Sequence, residues 1–291
     1  MEILLALTSA LSHSMGNVSL RLYQTKLQRT TADLRLFQCL YIFAASCAYF
    51  LLCGGTVQLD RTGVLLAIAY GVDLAACFMA SAACYLCGPM SLTSIITNAC
   101  VVLPIVVGCV WYDEVMTVAQ ILGCVLLAVT FLLSGLGGKQ KQGKIALRWY
   151  PMVLLAFFLN GMGAVLLNIY GRVAGAAQRN SFLTVGYFLA SVLLFAVFLT
   201  CPKQDRPKVT YLLRPAFLLF VVMSSMGSFI GNGILMSLNT ALPASLLYPL
   251  VNGGIGVFVA TASWVVFRET MTLSRLLTIL VGLSAIVVLN L

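Results

Sequence analysis

The chain has 291 residues, 61% of them hydrophobic and 9% charged, with a mean hydropathy of +1.03 and a formal net charge of +9. That composition excludes a soluble globular domain, whose surface needs charged side chains over most of its area. It leaves a chain that faces lipid and bonds its backbone internally, which only helices or a closed barrel achieve. Apolar runs of about 20 residues without period-two alternation select helices crossing about 30 Å of hydrocarbon rather than a barrel. In a soluble protein the basic balance would point to nucleic acid. Here the cations occupy short loops between apolar runs, the footprint of membrane topology, and no nucleic-acid partner is expected.

In chain order the predicted helices cover residues 3–22, 35–53, 62–87, 90–110 and 116–135, then 149–171, 181–200, 215–238, 244–266 and 273–290. The first follows Glu2 with no preceding basic residue, so it lacks the positive region of a cleavable signal peptide and reads as a mature helix. The stretch from Gly137 to Lys144 is the most polar of the chain and reads as a linker. Residues 1–136 and 149–291 thus form two halves on either side of a basic segment at 137–148. Trp111, Trp149 and Trp264 fall near helix ends, where interfacial anchors belong. Cys39, Cys47, Cys77, Cys100, Cys109 and Cys124 lie inside apolar runs as small hydrophobes. Cys84 and Cys87 form a CxxC, but with no second pair and no nearby histidine they complete no zinc site. No metal and no cofactor is expected.

The halves repeat each other. Met15, Gly16 and Tyr23 parallel Met162, Gly163 and Tyr170 at an offset of 147 residues. Pro89 precedes Asn98 by the spacing that separates Pro243 from Asn252, and Glu114-Val115-Met116-Thr117 parallels Glu269-Thr270-Met271-Thr272. Three matches in one order at nearly constant offset identify a duplicated unit. Because five is odd, the second unit must enter the membrane inverted. The predicted fold is therefore an all-α membrane protein of ten transmembrane helices, built as two inverted five-helix repeats.

Mid-membrane polar residues are the candidate site. Asp73 falls near the centre of the third run, where a charged side chain costs a few kcal/mol unless it faces a cavity or a partner. Proton coupling or contact with a cationic substrate would suit it; packing against neighbouring hydroxyls is the competing account. Ser9, His13 and Asn17 recur every four residues and share one helix face, so His13 reads either as a relay or as a packed neutral imidazole. Asn98 and Asn252 are repeat-related amides, the second beside Pro249, Gly253 and Gly254, where a loosened helix exposes carbonyls. Asn160 and Asn232 join them as site residues or as glue between helices, with close packing the favoured account of Asn232 and the run from Gly227 to Gly233. Tyr41 and Tyr187, matched between the second helices of the halves, are secondary cavity-lining candidates with Tyr248.

Length, duplication and the loop glutamates Glu114 and Glu269 before the last helix of each half resemble the drug/metabolite transporter superfamily, in its ten-helix EamA-type branch. The first helix is also similar to that of the small multidrug resistance proteins, where a membrane glutamate is followed by glycine and then a lysine. Here those positions read His13, Gly16 and Arg21, and in the second half Asn160, Gly163 and Asn168, so the spacing is kept while the acid is replaced. The resemblance implies a secondary transporter of a small organic solute. A flippase for lipids or lipid-linked headgroups is the alternative. No GxxxxGK[ST] loop is present for nucleotide, and one histidine with one embedded acid is a poor inventory for an enzyme. The partners expected are the solute and the bilayer; monomer and homodimer stay open.

Orientation follows from the cations. One side carries 14 of the 17 Lys and Arg residues, leaving Arg61, Arg172 and Arg179 on the other. The rich side should be cytoplasmic in a cell membrane, with both termini outside. Single cysteines placed at Lys26, Lys141, Lys208 and Arg275 should therefore resist a membrane-impermeant thiol reagent in intact cells. Reaction at all four would reverse the topology.

Overall fold

A computed structural model of the chain describes residues 1–87, 96–97, 99–136, 147–266 and 273–289. Asn98, Glu269, Pro89 and the linker from Gly137 to Lys144 lie outside the described residues. Every regular element among them is helical. The main helices are α1 (Glu2–Lys26), α2 (Thr31–Leu52), α3 (Arg61–Cys87), α4 (Val102–Trp111, led by a 3₁₀ turn at Ala99–Val101) and α5 (Val118–Leu136). They continue with α6 (Trp149–Val173), α7 (Ala176–Leu199), α8 (Pro215–Leu238), α9 (Ala244–Val265) and α10 (Leu273–Leu289). Six are long and apolar enough to cross a membrane: α1, α2, α3, α6, α7 and α8. Shorter apolar helices occur at Ala99–Trp111, Val118–Thr130, Ala244–Val259 and Ile279–Leu289. With Leu4, Leu51, Leu65, Phe158, Phe188 and Leu219 exposed along their outer faces, these are the helices of a multi-pass membrane protein.

Local chemistry sets several ends. The α2 helix starts at Thr31 rather than at 35 because Thr30 and Asp33 form a capping box: Thr30 Oγ1 accepts from the Asp33 N–H at 3.1 Å while Asp33 Oδ2 accepts from the Thr30 N–H at 3.1 Å. The α7 helix likewise starts at Ala176 rather than 181, with the Gln178 side chain accepting from the Gly175 N–H at 3.1 Å. Between α2 and α3 the chain turns through Gly54 and Gly55 at φ +63° and +77°, the left-handed region that only glycine enters freely.

Connections gather at two ends. At one, the α1–α2 and α7–α8 segments meet, Thr30 Oγ1 donating to Asp205 O at 2.8 Å and Tyr211 OH to Leu27 O at 3.0 Å. At the other, the α2–α3 segment meets α7, with the Gln58 N–H donating to Ser181 Oγ at 3.0 Å. In the interior α1 packs on α8 and α9, α3 on α6 and α7, α2 on α7 and α8, α4 on α6 and α9, and α5 on α10.

One expectation is corrected here. Trp149 is 3% exposed and packs with Ala80, Cys84, Val153 and Ala156, so it fastens α6 to α3 and is no interfacial anchor. Its place at a helix end was legible; the neighbour covering the indole was not. Trp111 is 77% exposed at the end of α4, as an anchor should be.

The α1 and α8 helices cross closely. A Cβ added to Gly227 would sit 2.7 Å from Ser12 O and 2.8 Å from Gly16 Cα, both backbone atoms that yield only if a helix moves. Gly227→Val should therefore lower stability in detergent by about 1–3 kcal/mol, the range for overpacking a filled interior. An unfolding midpoint equal to that of the parent chain would show that α1 and α8 do not approach this closely.

Candidate functional site

The centres of the long helices enclose a cavity of about 250 Å³. Its polar lining is His13, Asn17, Tyr41, Asn160, Tyr187, Ser224, Ser228 and Asn232; its apolar lining includes Leu20, Ile42, Leu74 and Phe78. His13, Tyr41, Leu74, Asn160, Tyr187 and Ser228 each lie within about two residues of the midpoint of α1, α2, α3, α6, α7 and α8 respectively. Helix geometry explains the convergence. His13, Gly16, Asn17 and Leu20 recur at i, i+3, i+4 and i+7, one inward stripe of α1. Ser224, Ser228 and Asn232 form the facing stripe of α8 at four-residue spacing.

Some of these groups are already bonded. Asn160 Nδ2 donates to Thr97 O at 3.2 Å, Asn232 Nδ2 to the Tyr187 hydroxyl at 2.5 Å, and Ser224 Oγ to Ser19 Oγ at 3.1 Å. Between described residues, His13, Asn17, Tyr41 and Ser228 make no side-chain hydrogen bond. The His13 ring lies against Gly231, where a Cβ would come within 2.7 Å of Cδ2 and Nε2. Glycine at 231 therefore makes room for the imidazole, and Ser9 Oγ pins the same turn by donating to Gly231 O at 2.8 Å.

Of the sequence candidates, the fold brings His13, Asn17, Tyr41, Asn160, Tyr187 and Asn232 to this cavity. Three others, Asp73, Asn252 and Tyr248, lie elsewhere, correcting the expectation that they line it. Asp73 precedes the lining residue Leu74, but one residue along a helix is a rotation of about 100°. Its carboxyl faces α6, with Oδ2 2.9 Å from where a Cβ on Gly163 would stand. It is 8% exposed and makes no side-chain hydrogen bond to the described residues. Asn252 turns back on its own helix, donating to Tyr248 O at 2.9 Å. Tyr248 is a structural tie, its hydroxyl donating from α9 to Ala164 O of α6 at 2.7 Å. Sequence reading missed Ser224 and left Ser228 inside the run from Gly227 to Gly233 that it read as close packing; their four-residue spacing with Asn232 was the available signal.

Aromatic rings leave the cavity in both directions. From Tyr41, ring contacts run through Phe37 at 5.6 Å and Tyr23, stacked on Phe37 at 4.0 Å, to Phe217 and Tyr211. From Tyr187 they run through Tyr70 at 6.2 Å and Phe182 at 5.5 Å to Tyr170 at 4.7 Å, whose hydroxyl meets Asp60 at 3.4 Å. The first column leads to the end where Tyr211 bonds Leu27, the second to the end where Gln58 bonds Ser181.

Beyond the second column lies a charged lock. Asp113 holds φ +52° just past α4 and aims Glu114 at the start of α9. Glu114 accepts from the backbone N–H groups of Ala244 and Ser245 at 3.0 and 3.1 Å and pairs with Arg172 of α6. These are the free donors of a helix N-terminus, where a carboxylate is stabilised by the helix dipole as well as by the bonds. Arg172 lies 4.0 Å over the Tyr112 ring and donates to Asn168 Oδ1 at 3.1 Å, and Asn168 in turn donates to Asn239 Oδ1 at 2.8 Å. Burial pushes the Glu114 pKa up, but the two N–H donors and Arg172 outweigh it and hold the carboxyl below its ordinary 4.5.

Neither a protein-family model nor a curated protein matches the sequence. The fold does match. A protein of known crystal structure aligns over 99% of this chain and 95% of its own, with a TM-score of 0.77 at 13% identity. At that identity the likeness extends to the fold alone.

Because the folded-state pKa of Glu114 is depressed, its contribution to stability is complete above about pH 4.5 and is lost as pH falls below that. Glu114→Gln should cost about 2 kcal/mol at neutral pH, since it removes a charge from a side chain only 9% exposed and leaves Arg172 unpaired. Unfolding in detergent at pH 7 and near pH 3.5 checks this: the gap between variant and parent should narrow at the lower pH. A gap independent of pH would mean the ion pair contributes nothing.

Proposed function

We propose that this chain is a secondary transporter that moves a small organic solute across a membrane, by alternating access between two inverted five-helix halves. The observation that carries the reading is the cavity itself: a polar chamber midway along the long helices, lined by α1, α2 and α3 of one half and α6, α7 and α8 of the other. Sites at mid-depth between repeats are where such carriers bind their cargo.

Most of the larger helix contacts, α9 on α10 excepted, support the duplication. Exchanging each helix for the one five places later turns α1 on α8 into α6 on α3, α1 on α9 into α6 on α4, and α2 on α8 into α7 on α3; all six contacts occur. The pairs α2 with α7, α4 with α9 and α5 with α10 exchange into themselves, and all three occur. The aromatic columns follow the same rule. Tyr23, Tyr41 and Phe217 belong to one; their repeat mates Tyr170, Tyr187 and Tyr70, at offsets of 147, 146 and 147, belong to the other. Two repeat-related plugs, one toward each end, are the inner and outer barriers that alternating access requires. On this reading the six membrane-length helices and the four shorter apolar ones supply the ten crossings that the EamA-type resemblance implies.

Asp73 is the coupling candidate. A buried carboxyl at mid-helix depth that makes no hydrogen bond to the described residues needs a proton, a cation or another partner, because an unpaired charge there costs several kcal/mol. Its place beside the cavity, against α6, lets a change of charge bear on the interface between halves.

Purified protein in sealed vesicles tests the reading. The chain should accelerate uptake of at least one small organic solute over protein-free vesicles. Asp73→Asn should abolish accumulation driven by an imposed proton gradient, while exchange of solute at equal concentrations persists within about threefold. Movement of a labelled lipid with no solute flux would replace the carrier with the flippase alternative.

A further inference from the structure

The cavity lining narrows the cargo. Among its described residues none is Asp, Glu, Lys or Arg, so a charged group entering it meets no fixed counter-charge. Desolvating an ion without a partner is expensive, whereas amides, hydroxyls and an imidazole offer donors and acceptors to uncharged polar groups. Asn17 contributes a whole carboxamide, Asn160 and Asn232 retain their carbonyl oxygens after donating elsewhere, and His13, Tyr41 and Ser228 are uncommitted among the described residues. A carboxamide pairs best with a neighbouring donor and acceptor on one edge, forming two bonds at once. The rest of the wall is apolar and partly aromatic: Tyr41 and Phe78 meet edge to face at 6.1 Å, with Ile42 and Leu74 beside them. Such a wall favours a planar ring. The 250 Å³ volume has room for a single-ring molecule.

We infer that the cavity binds a small, uncharged, planar solute carrying an amide or lactam edge, with the ring against Tyr41 and Phe78 and the edge on Asn17 and Asn232. The inference rests on the transport reading only for the cargo's being carried; binding alone tests the chemistry. On this reading the driving charge travels on the protein, at Asp73, and not on the solute.

Three probes of nearly equal size separate the possibilities: nicotinamide, uncharged; nicotinate, anionic; and benzamidine, cationic. Calorimetric titration of the full chain in detergent should show nicotinamide binding at least tenfold more tightly than the other two. Asn17→Ala should weaken it by about three- to tenfold, the loss of one or two ordinary hydrogen bonds. Asn17→Asp should shift the preference toward benzamidine, because it places the missing counter-charge in the wall. Equal or tighter binding of either ion by the parent chain overturns the inference, as does a monodisperse, folded chain that binds none of the three. Vesicle flux separates this failure from failure of the transport reading. If nicotinamide binds as stated but nothing crosses, the site stands and the carrier does not. If only charged solutes cross and nicotinamide does not bind, the carrier stands and this cargo does not.

Discussion

Hydroxyl-to-carbonyl bonds at close helix crossings hold the interior together. Among apolar surroundings the hydrophobic effect does not draw one apolar helix to another, so contact depends on close packing and on polar groups that find partners across the interface. Ser9, Ser19 and Tyr49 donate to carbonyls of α8, Ser46 to Thr184 O of α7 and Tyr248 to Ala164 O of α6. Each carbonyl already serves its own helix and takes the second bond on a spare lone pair. Where the backbones come nearest, at Gly16 and Gly227, side chains are absent, and the cavity opens where the stripes carry His13, Asn17 and Ser228 instead.

The two ends of the molecule are held differently. The end containing Tyr23 and Tyr211 is joined by hydroxyls, with Tyr23 OH on Asp33 O at 3.0 Å and Tyr211 OH on Leu27 O, and by the Arg35 guanidinium, which donates to Val197 O at 3.4 Å. The opposite end carries the Glu114 and Arg172 pair on the α9 N-terminus, with Asn168 and Asn239 behind it. Neutral bonds exchange with water at little cost, while a charged pair with backbone donors separates only if both ions find other partners.

The site is sparing in its chemistry. Three amides, one imidazole, two phenols and two hydroxyls make up its polar wall, and the one embedded carboxyl of the region, Asp73, is turned aside toward Gly163.

The sequence alone determined that the chain is helical and membrane-embedded, because a period and a length suffice for that: runs of about 20 apolar residues have no other stable form in lipid. It also marked His13 and Asn17 as one stripe and matched Tyr41 with Tyr187, since both are matters of spacing within a helix or between copies. What it left open depends on rotation and on neighbours. Asp73 and Leu74 are adjacent in the chain, yet only Leu74 lines the cavity, because α3 packs on both α6 and α7 and the angle between successive side chains divides them. Trp149 stood at a helix end as an anchor would, but α3 covers it. Glu114 was legible as a loop acid, while its partners Arg172, Ala244 and Ser245, 58 to 131 residues away, were not. Periodicity fixes which face a residue shares; only tertiary packing decides what that face meets.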